Sequence, residues 1–527
     1  DATEPTTITL DYYRADATGG TYEHSFTLTP PIGHAFAAPT DPVRIGRFEF
    51  YSQFSLRAPV IRLRTTGPAA TEVHALYAVG SPQFDGHRTL PVVYAGLGRT
   101  QDLAGLDLRG KVALIRRGEI TFLEKMHNAT AAGAALILIF NHSPGQLFIA
   151  GAPDTAPSLS MTQAEGEALF ALTGQGPVTM DLTGVVVSPY QYDLIFPEPD
   201  RMPARFSYPV GPWNLAALDT TYHSDVQPRP AGEVRYSWRP WQSTAFAFLR
   251  QMPAPLRRRE YVSTGDTRWQ HNVYAFSSAA VPFGSGAFEA PTTYRPGQRL
   301  ADTWWAQPAR PAALPVALGG TVTRTADTLT VTLPPFVDAQ GHWSWLDSTD
   351  QATLRVLRDG QPVGSVGSSQ GTFPLDPRPA TYQLDLAVSR AADWWPLSTS
   401  TSTEWTVRSA RPRPGGTTVL PLLSLGYGLA LDPLNRAGLP TAMLLTVGHI
   451  PGASASRISD AKVWVSPDSG TTWAAAAVLP TGHSGQFWVL LPRPRHSDGF
   501  VSLRVAAADG AGGRIQQTIT RAWAVRG

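Results

Sequence analysis

Apolar and polar residues alternate singly along much of this chain. Thr7-Ile8-Thr9-Leu10-Asp11-Tyr12-Tyr13 and Ile61-Arg62-Leu63-Arg64 follow the two-residue period of a strand with one buried face. Glycine and proline break these stretches into short strands, so residues 1–86 read as a β-sandwich.

The pattern changes at Leu90-Pro91-Val92-Val93-Tyr94, where a strand leads by way of Gly110 into Lys111-Val112-Ala113-Leu114-Ile115. Phe122, Leu123, Met126 and Ala129 then recur at helical spacing. Thr121 and Glu124 are placed to form a capping box ahead of them, and Ala131-Ala132-Gly133 closes the helix. The next run, Ala135 to Phe140, is apolar throughout, as expected of a strand covered on both faces, and it ends in the turn Asn141-His142-Ser143-Pro144-Gly145. Strand, helix and strand predict a βαβ crossover. Ser158-Leu159-Ser160-Met161, a second helix from Thr162 to Leu172 and a last strand near Val178 to Leu182 complete an α/β unit at 87–185.

The rest reads as β structure. Residues 186–310 are irregular and aromatic, with prolines spacing short strands and long loops. Residues 311–412 alternate regularly, as in Thr328-Leu329-Thr330-Val331-Thr332-Leu333, which favours a fibronectin-like or immunoglobulin-like sandwich. After the linker Arg411-Pro412-Arg413-Pro414-Gly415-Gly416, residues 413–527 predict a terminal sandwich. The fold class expected is mainly β and multidomain, with several sandwich modules and one α/β domain.

Composition narrows the partners. Charged residues are 16% of the chain and the formal net charge is +2, with no basic stripe beyond Arg257-Arg258-Arg259, so nucleic acid is not an expected partner. Cysteine is absent, which removes disulfides, thiolate metal sites and cysteine nucleophiles together. The longest apolar run, Ala134 to Phe140, is too short to span a bilayer, and Asp1-Ala2-Thr3-Glu4-Pro5 has no leader character. A secreted mature product or excised fragment is expected.

Several elements of 90–172 resemble the protease-associated domain: Arg109-Gly110-Lys111, Arg116-Arg117-Gly118 before the helix, Glu124-Lys125 on it, Ala132-Gly133-Ala134, Pro157-Ser158-Leu159-Ser160, and Gly166-Glu167-Ala168-Leu169. The resemblance implies a module attached to proteases that contacts protein. Phe196 to Arg205, Glu260 to Trp269 and Val501 to Arg526 resemble the C-terminal half of large secreted subtilisin-like proteases of high-GC bacteria. That likeness implies an accessory region whose partners are a subtilase catalytic domain of the same precursor, a protein substrate, or both.

A subtilisin-like mechanism needs a serine in a Gly-Thr-Ser-Met-Ala setting and a histidine in His-Gly-Thr, because a hydroxyl must be activated by a base beside an oxyanion hole. Neither motif occurs. Ser158-Leu159-Ser160-Met161 lacks the small residues of a nucleophile turn, and Gly367-Ser368-Ser369-Gln370-Gly371 sits among strands rather than between strand and helix. The chain is accordingly expected not to be an enzyme, with no catalytic residues, no metal ligands and no cofactor; calcium at a sandwich loop stays open.

The expected contact site is the exposed rim of the α/β unit, formed by Arg116, Arg117, Glu119, His142, Ser143 and Gln146, for which plain solvated turns are the competing explanation. Ser466, Asp468, Gly470, Thr472 and Trp473 fit the Asp-box of sialidases and other β proteins and are expected to fold a hairpin. Trp304-Trp305, Trp343 with Trp345, and Trp394-Trp395 open a second class of function, a free-standing binder of polysaccharide or cell-surface material. A hydrolase of unrecognised type is a third.

Overall fold

The computed structural model describes residues 6–15, 21–28, 48–56, 60–145, 147, 149–188, 190–199, 207–225, 229–240, 242, 245, 247, 249–275, 286–392, 395–438, 441–492 and 496–526. The chain is mainly β, with its strands in several sheets and one α/β unit.

The α/β unit forms where the period changes. Gly86–Tyr94, Val112–Arg116, Leu136–Phe140 and Ser158–Met161 lie side by side and parallel. Because alternate residues face opposite ways, Val112, Leu114, Leu136, Leu138 and Phe140 fill one core with Leu169 of the helix Gln163–Thr173. Ala113, Ile115, Ile137 and Ile139 fill the other with Met126 and Ala129 of the helix Phe122–Ala131. The capping box is made: Thr121 Oγ1 accepts from the Glu124 amide at 3.2 Å, and Glu124 Oε2 accepts from the Thr121 amide at 2.8 Å.

This sheet begins before the boundary expected at residue 87. Val60–Gly67 pairs with Thr179–Val185, Val60 opposite Val185, so entry and exit of the unit are bonded to each other. The flanking strands are neighbours too. Phe48–Leu56 lies antiparallel to Tyr190–Pro199, and both belong to a sheet that also holds Thr6–Ala15, Thr21–Leu28, Leu256–Ser263, Leu215–Tyr222 and Arg299–Trp304. The regions expected as separate β domains, 1–86 and 186–310, therefore share one sheet, into which the α/β unit is inserted. Local alternation marks a strand without naming its partner, so this pairing across the insertion lay beyond the sequence pattern.

A second sheet, containing Leu249–Ala254, Arg229–Trp238 and Arg268–Ala275, meets that one through buried charges. Asp193 accepts from Arg250 at 2.5 and 3.0 Å, Arg258 reaches Glu233 at 2.5 Å and Glu260 at 2.7 Å, Arg235 pairs with Glu260, and His271 Nε2 lies 2.9 Å from Glu233. Acid and guanidinium groups balance within the cluster, as buried charges require. The run Arg257-Arg258-Arg259 is split by the strand period: Arg258 points into the cluster, while Arg259 pairs with Asp219 outside.

Pairing also crosses the boundary expected at 412. Ser400–Ser409 bonds to Arg514–Val525, and Val322–Thr325 to Thr417–Val419, so residues on both sides contribute to one continuous apolar core. Gln307, Ser398 and Asn435 tie the segments together: Ser398 Oγ donates to Gln307 Oε1 at 2.7 Å, and Asp225 accepts from Gln307 at 2.9 Å and from Asn435 at 2.7 Å.

Candidate functional site

Parallel strands send their connecting loops out of one end, and in open α/β sheets ligands meet that carboxyl end. Here the loops after Tyr94, Arg116 and Phe140 emerge together. Lys125, fully buried on the helix below, holds the first two: its Nζ donates to the carbonyl of Leu97 and, at 2.8 Å, to that of Gly118. Burial lowers its pKa, opposed by the charges of Asp102 and Glu119. Gly98, at φ +73°, sits in a conformation that favours glycine, and a Cβ there would stand 3.2 Å from Ile115 and 3.4 Å from the Lys125 stem.

Arg99 bridges the loops. It donates to Asp102 through Nε at 3.0 Å and Nη2 at 2.8 Å, and through Nη1 to Glu119. The Arg99 guanidinium holds the Asp102 carboxyl at about 2, with backbone amides of Arg99 and Leu97 adding to the effect. Glu119 adopts φ +58°, a left-handed conformation unusual for a side chain of its size, between Gly118 and the helix cap.

The third loop is organised by Asn141, buried, whose Oδ1 accepts from Arg117 Nη1 at 3.1 Å and from the His142 amide at 3.0 Å. The Arg117 guanidinium also stands 5.6 Å from the Phe122 ring. His142 is exposed and Ser143 half-buried.

The expected rim thus divides. Arg117, Glu119, His142 and Ser143 lie at the carboxyl end. Arg116, one residue earlier on the strand, instead approaches Glu167 at 3.8 Å on the helix Gln163–Thr173. Gln146 lies outside the described residues. Arg99, Asp102, Asn141 and Lys125 were missed as rim residues; the glycines flanking Leu97 and the lysine beside Glu124 were the available signals. The assembled surface offers two guanidinium groups, an exposed carboxylate and an imidazole, which suits hydrogen bonding to polypeptide backbone and charged side chains.

The other candidates are bound up locally. Asp468 accepts from the Thr472 amide at 2.8 Å, from Thr472 Oγ1 at 2.6 Å and from Ser466 Oγ at 2.7 Å, which hold its pKa at about 2. Trp473 Nε1 donates to the Gly470 carbonyl at 3.0 Å and carries Arg504 on its ring at 4.1 Å. Ser158 and Ser160 are buried and donate to the carbonyls of Ala156 and Leu147. Trp304, Trp305 and Trp395 are buried, Trp343 and Trp345 half-buried, and Trp394 lies outside the described residues, so the Trp304-Trp305 doublet makes no exposed platform. Among the described residues no three His, Asp or Glu side chains gather as metal ligands.

Residues 88–169 match the PA domain, the class that the parallel sheet and its rim define. The chain is 32% identical over 99 residues, 18% of its length and 12% of the relative's, to the minor extracellular protease Vpr of Bacillus subtilis. It is 35% identical over 123 residues, 22% of its length and 26% of the relative's, to aminopeptidase YwaD of the same organism. Among solved structures it is similar to an aminopeptidase from Aneurinibacillus sp. strain AM-1, at 26% identity and TM-score 0.23 over 34% of this chain and 41% of that one. The chain spans about an eighth to a quarter of the curated relatives' length. The expectation that the chain is not an enzyme is corrected by the two curated relatives, which are named as a protease and an aminopeptidase. They do not single out a subtilisin-like parent.

Proposed function

We propose that this chain is part of a secreted peptidase, in which the PA domain contacts polypeptide through the rim of Arg99, Arg117, Glu119 and His142. One observation carries the reading: the chain holds a PA domain at 88–169 and is similar to relatives named as peptidases, one of them extracellular. The fixed geometry of the loops supports it, because Lys125 and Asn141 hold the rim in place before any partner arrives. A subtilisin-like parent is the finer reading, favoured by the stretches Phe196 to Arg205, Glu260 to Trp269 and Val501 to Arg526.

The test is a titration of the purified chain with unfolded casein, with peptide hydrolysis followed in parallel. Replacing Arg117, Glu119 and His142 together by Ala should weaken binding about tenfold or more; unchanged binding would remove the rim from the reading. For the parent, hydrolysis is read on the full-length protein that carries this chain: block by a serine-directed phosphonate supports the subtilisin-like reading, whereas block by a metal chelator alone refutes it.

A further inference from the structure

The four strands Leu423–Leu429, Thr441–His449, Gln486–Leu491 and Ala477–Pro480 form a sheet with one face in the core and one outside. Met443, Leu445, Val447, Val489 and Leu491 point inward and are buried. The outward residues are the ones expected to be charged, yet the four strands contain no Asp, Glu, Lys or Arg. Trp488 stands outward at 48% exposure, directly opposite Leu444 and Leu479, and Leu490 and Leu479 are 49% and 50% exposed. Large apolar side chains left half in water on adjacent strands mark a surface that meets something.

The face has two kinds of ground. Leu444, Leu479, Trp488 and Leu490 are apolar, whereas Thr446 and Gln486, paired across the strands, offer neutral hydroxyl and amide groups. Beside them Gly426 and Gly428 lie opposite Thr446 and Leu444, leaving a low shelf where side chains would otherwise rise.

We infer that this face binds a neutral glycan chain, one sugar ring stacked on Trp488 and its hydroxyls bonded by Thr446 and Gln486. Three features favour that occupant. Sugar rings present flat C–H faces between hydroxyl edges, which matches an indole bordered by neutral hydrogen-bonding groups. The absence of charge removes the pairing that anionic lipid or a charged peptide would require. The area is also small: four strands about 4.8 Å apart and about 20 Å long give about 400 Å², half of the roughly 800 Å² per partner in a stable protein interface. A second copy of the chain is therefore poorly accommodated. The inference is independent of the peptidase reading, because it concerns a different surface.

The experiment is depletion of the purified chain by insoluble cellulose, chitin, xylan and mannan, using wild type, Trp488→Ala and, as a control elsewhere on the surface, Trp213→Ala, with thermal melts to establish folding. Trp488 is half exposed, so its removal should leave the melt within a few degrees. Retention on at least one glycan, lost about tenfold in Trp488→Ala and kept in Trp213→Ala, is the expected result. No retention on any of the four, or equal retention of Trp488→Ala, overturns the inference. Dimerisation in sedimentation, or flotation with neutral phosphatidylcholine vesicles, overturns it equally if Trp488→Ala abolishes it.

Discussion

His342 sits face to face with Trp304, ring centroids 3.7 Å apart, with its Nδ1 3.0 Å from Asp338 and its Nε2 3.8 Å from Asp302. Burial works to discharge the imidazole, but Asp338, then Asp302 and Glu289, raise its pKa to about 9. A histidine whose folded pKa lies above its unfolded value contributes stability that is fully present below about pH 6.5 and is lost as pH rises through about 9. Unfolding free energy should therefore fall by on the order of 3 kcal/mol across that window. His342→Gln should flatten this alkaline limb in urea titrations; an unchanged slope would show the charge to be carried elsewhere. At the same scale, Lys125→Met leaves the Leu97 and Gly118 carbonyls without their donor, at about 2–3 kcal/mol, and the loss should appear in the same titrations. None of this could be read beforehand at His342, because its stacking and ionic partners converge only in three dimensions. Lys125 was visible as half of Glu124-Lys125, but not as a buried anchor.

At the scale of elements, the α/β unit was legible because its signals are local. The capping box at Thr121, the unbroken run to Phe140 and Gly166 at the start of the second helix each act within a few residues. Gly166 shows how close the packing is: a Cβ there would fall 2.1 Å from Phe140, so the helix rests on that ring. Gly166→Leu should push the helix off the sheet and cost about 3 kcal/mol or more, read as a lowered midpoint of unfolding. The rim was half legible for the same reason. Loop residues Arg117 and His142 stood out as polar ends of strands, while the period of two that sends Arg116 to the opposite side was available and unused. The two-sheet region at 186–310 was the least legible, since part of its interior is ionic beside its apolar clusters. Glu260, Glu233 and Arg235 occupy inward positions that a hydrophobic pattern assigns to solvent. Glu260→Gln removes a charge while Arg235 and Arg258 remain buried, which should destabilise by about 3–5 kcal/mol. Calorimetry of that variant would tell such a cluster from a merely tolerated one.

Across the whole molecule, the sequence separates into more pieces than the fold does. Boundaries drawn at changes of pattern fall inside shared sheets: residues 48–56 pair with 190–199, and 400–409 with 514–525. Long-range pairing of this kind leaves no trace in local periodicity. The insertion should be removable, because Leu56 already lies opposite Tyr192. Replacing residues 57–188 with a short Asn-Gly turn should preserve the buried cluster and leave the remaining chain with a cooperative melt.

That arrangement also sets a timetable on the ribosome. Strand 48–56 acquires its neighbour at 190–199 only after roughly 130 further residues have been made, an interval of about 7–27 s at ordinary elongation rates. In that time the PA domain, with its largely local parallel pairings, can close first. The waiting amino-terminal strands pass through those seconds with an open edge, so the amount of soluble protein recovered from cells should respond to translation speed and to the supply of chaperones.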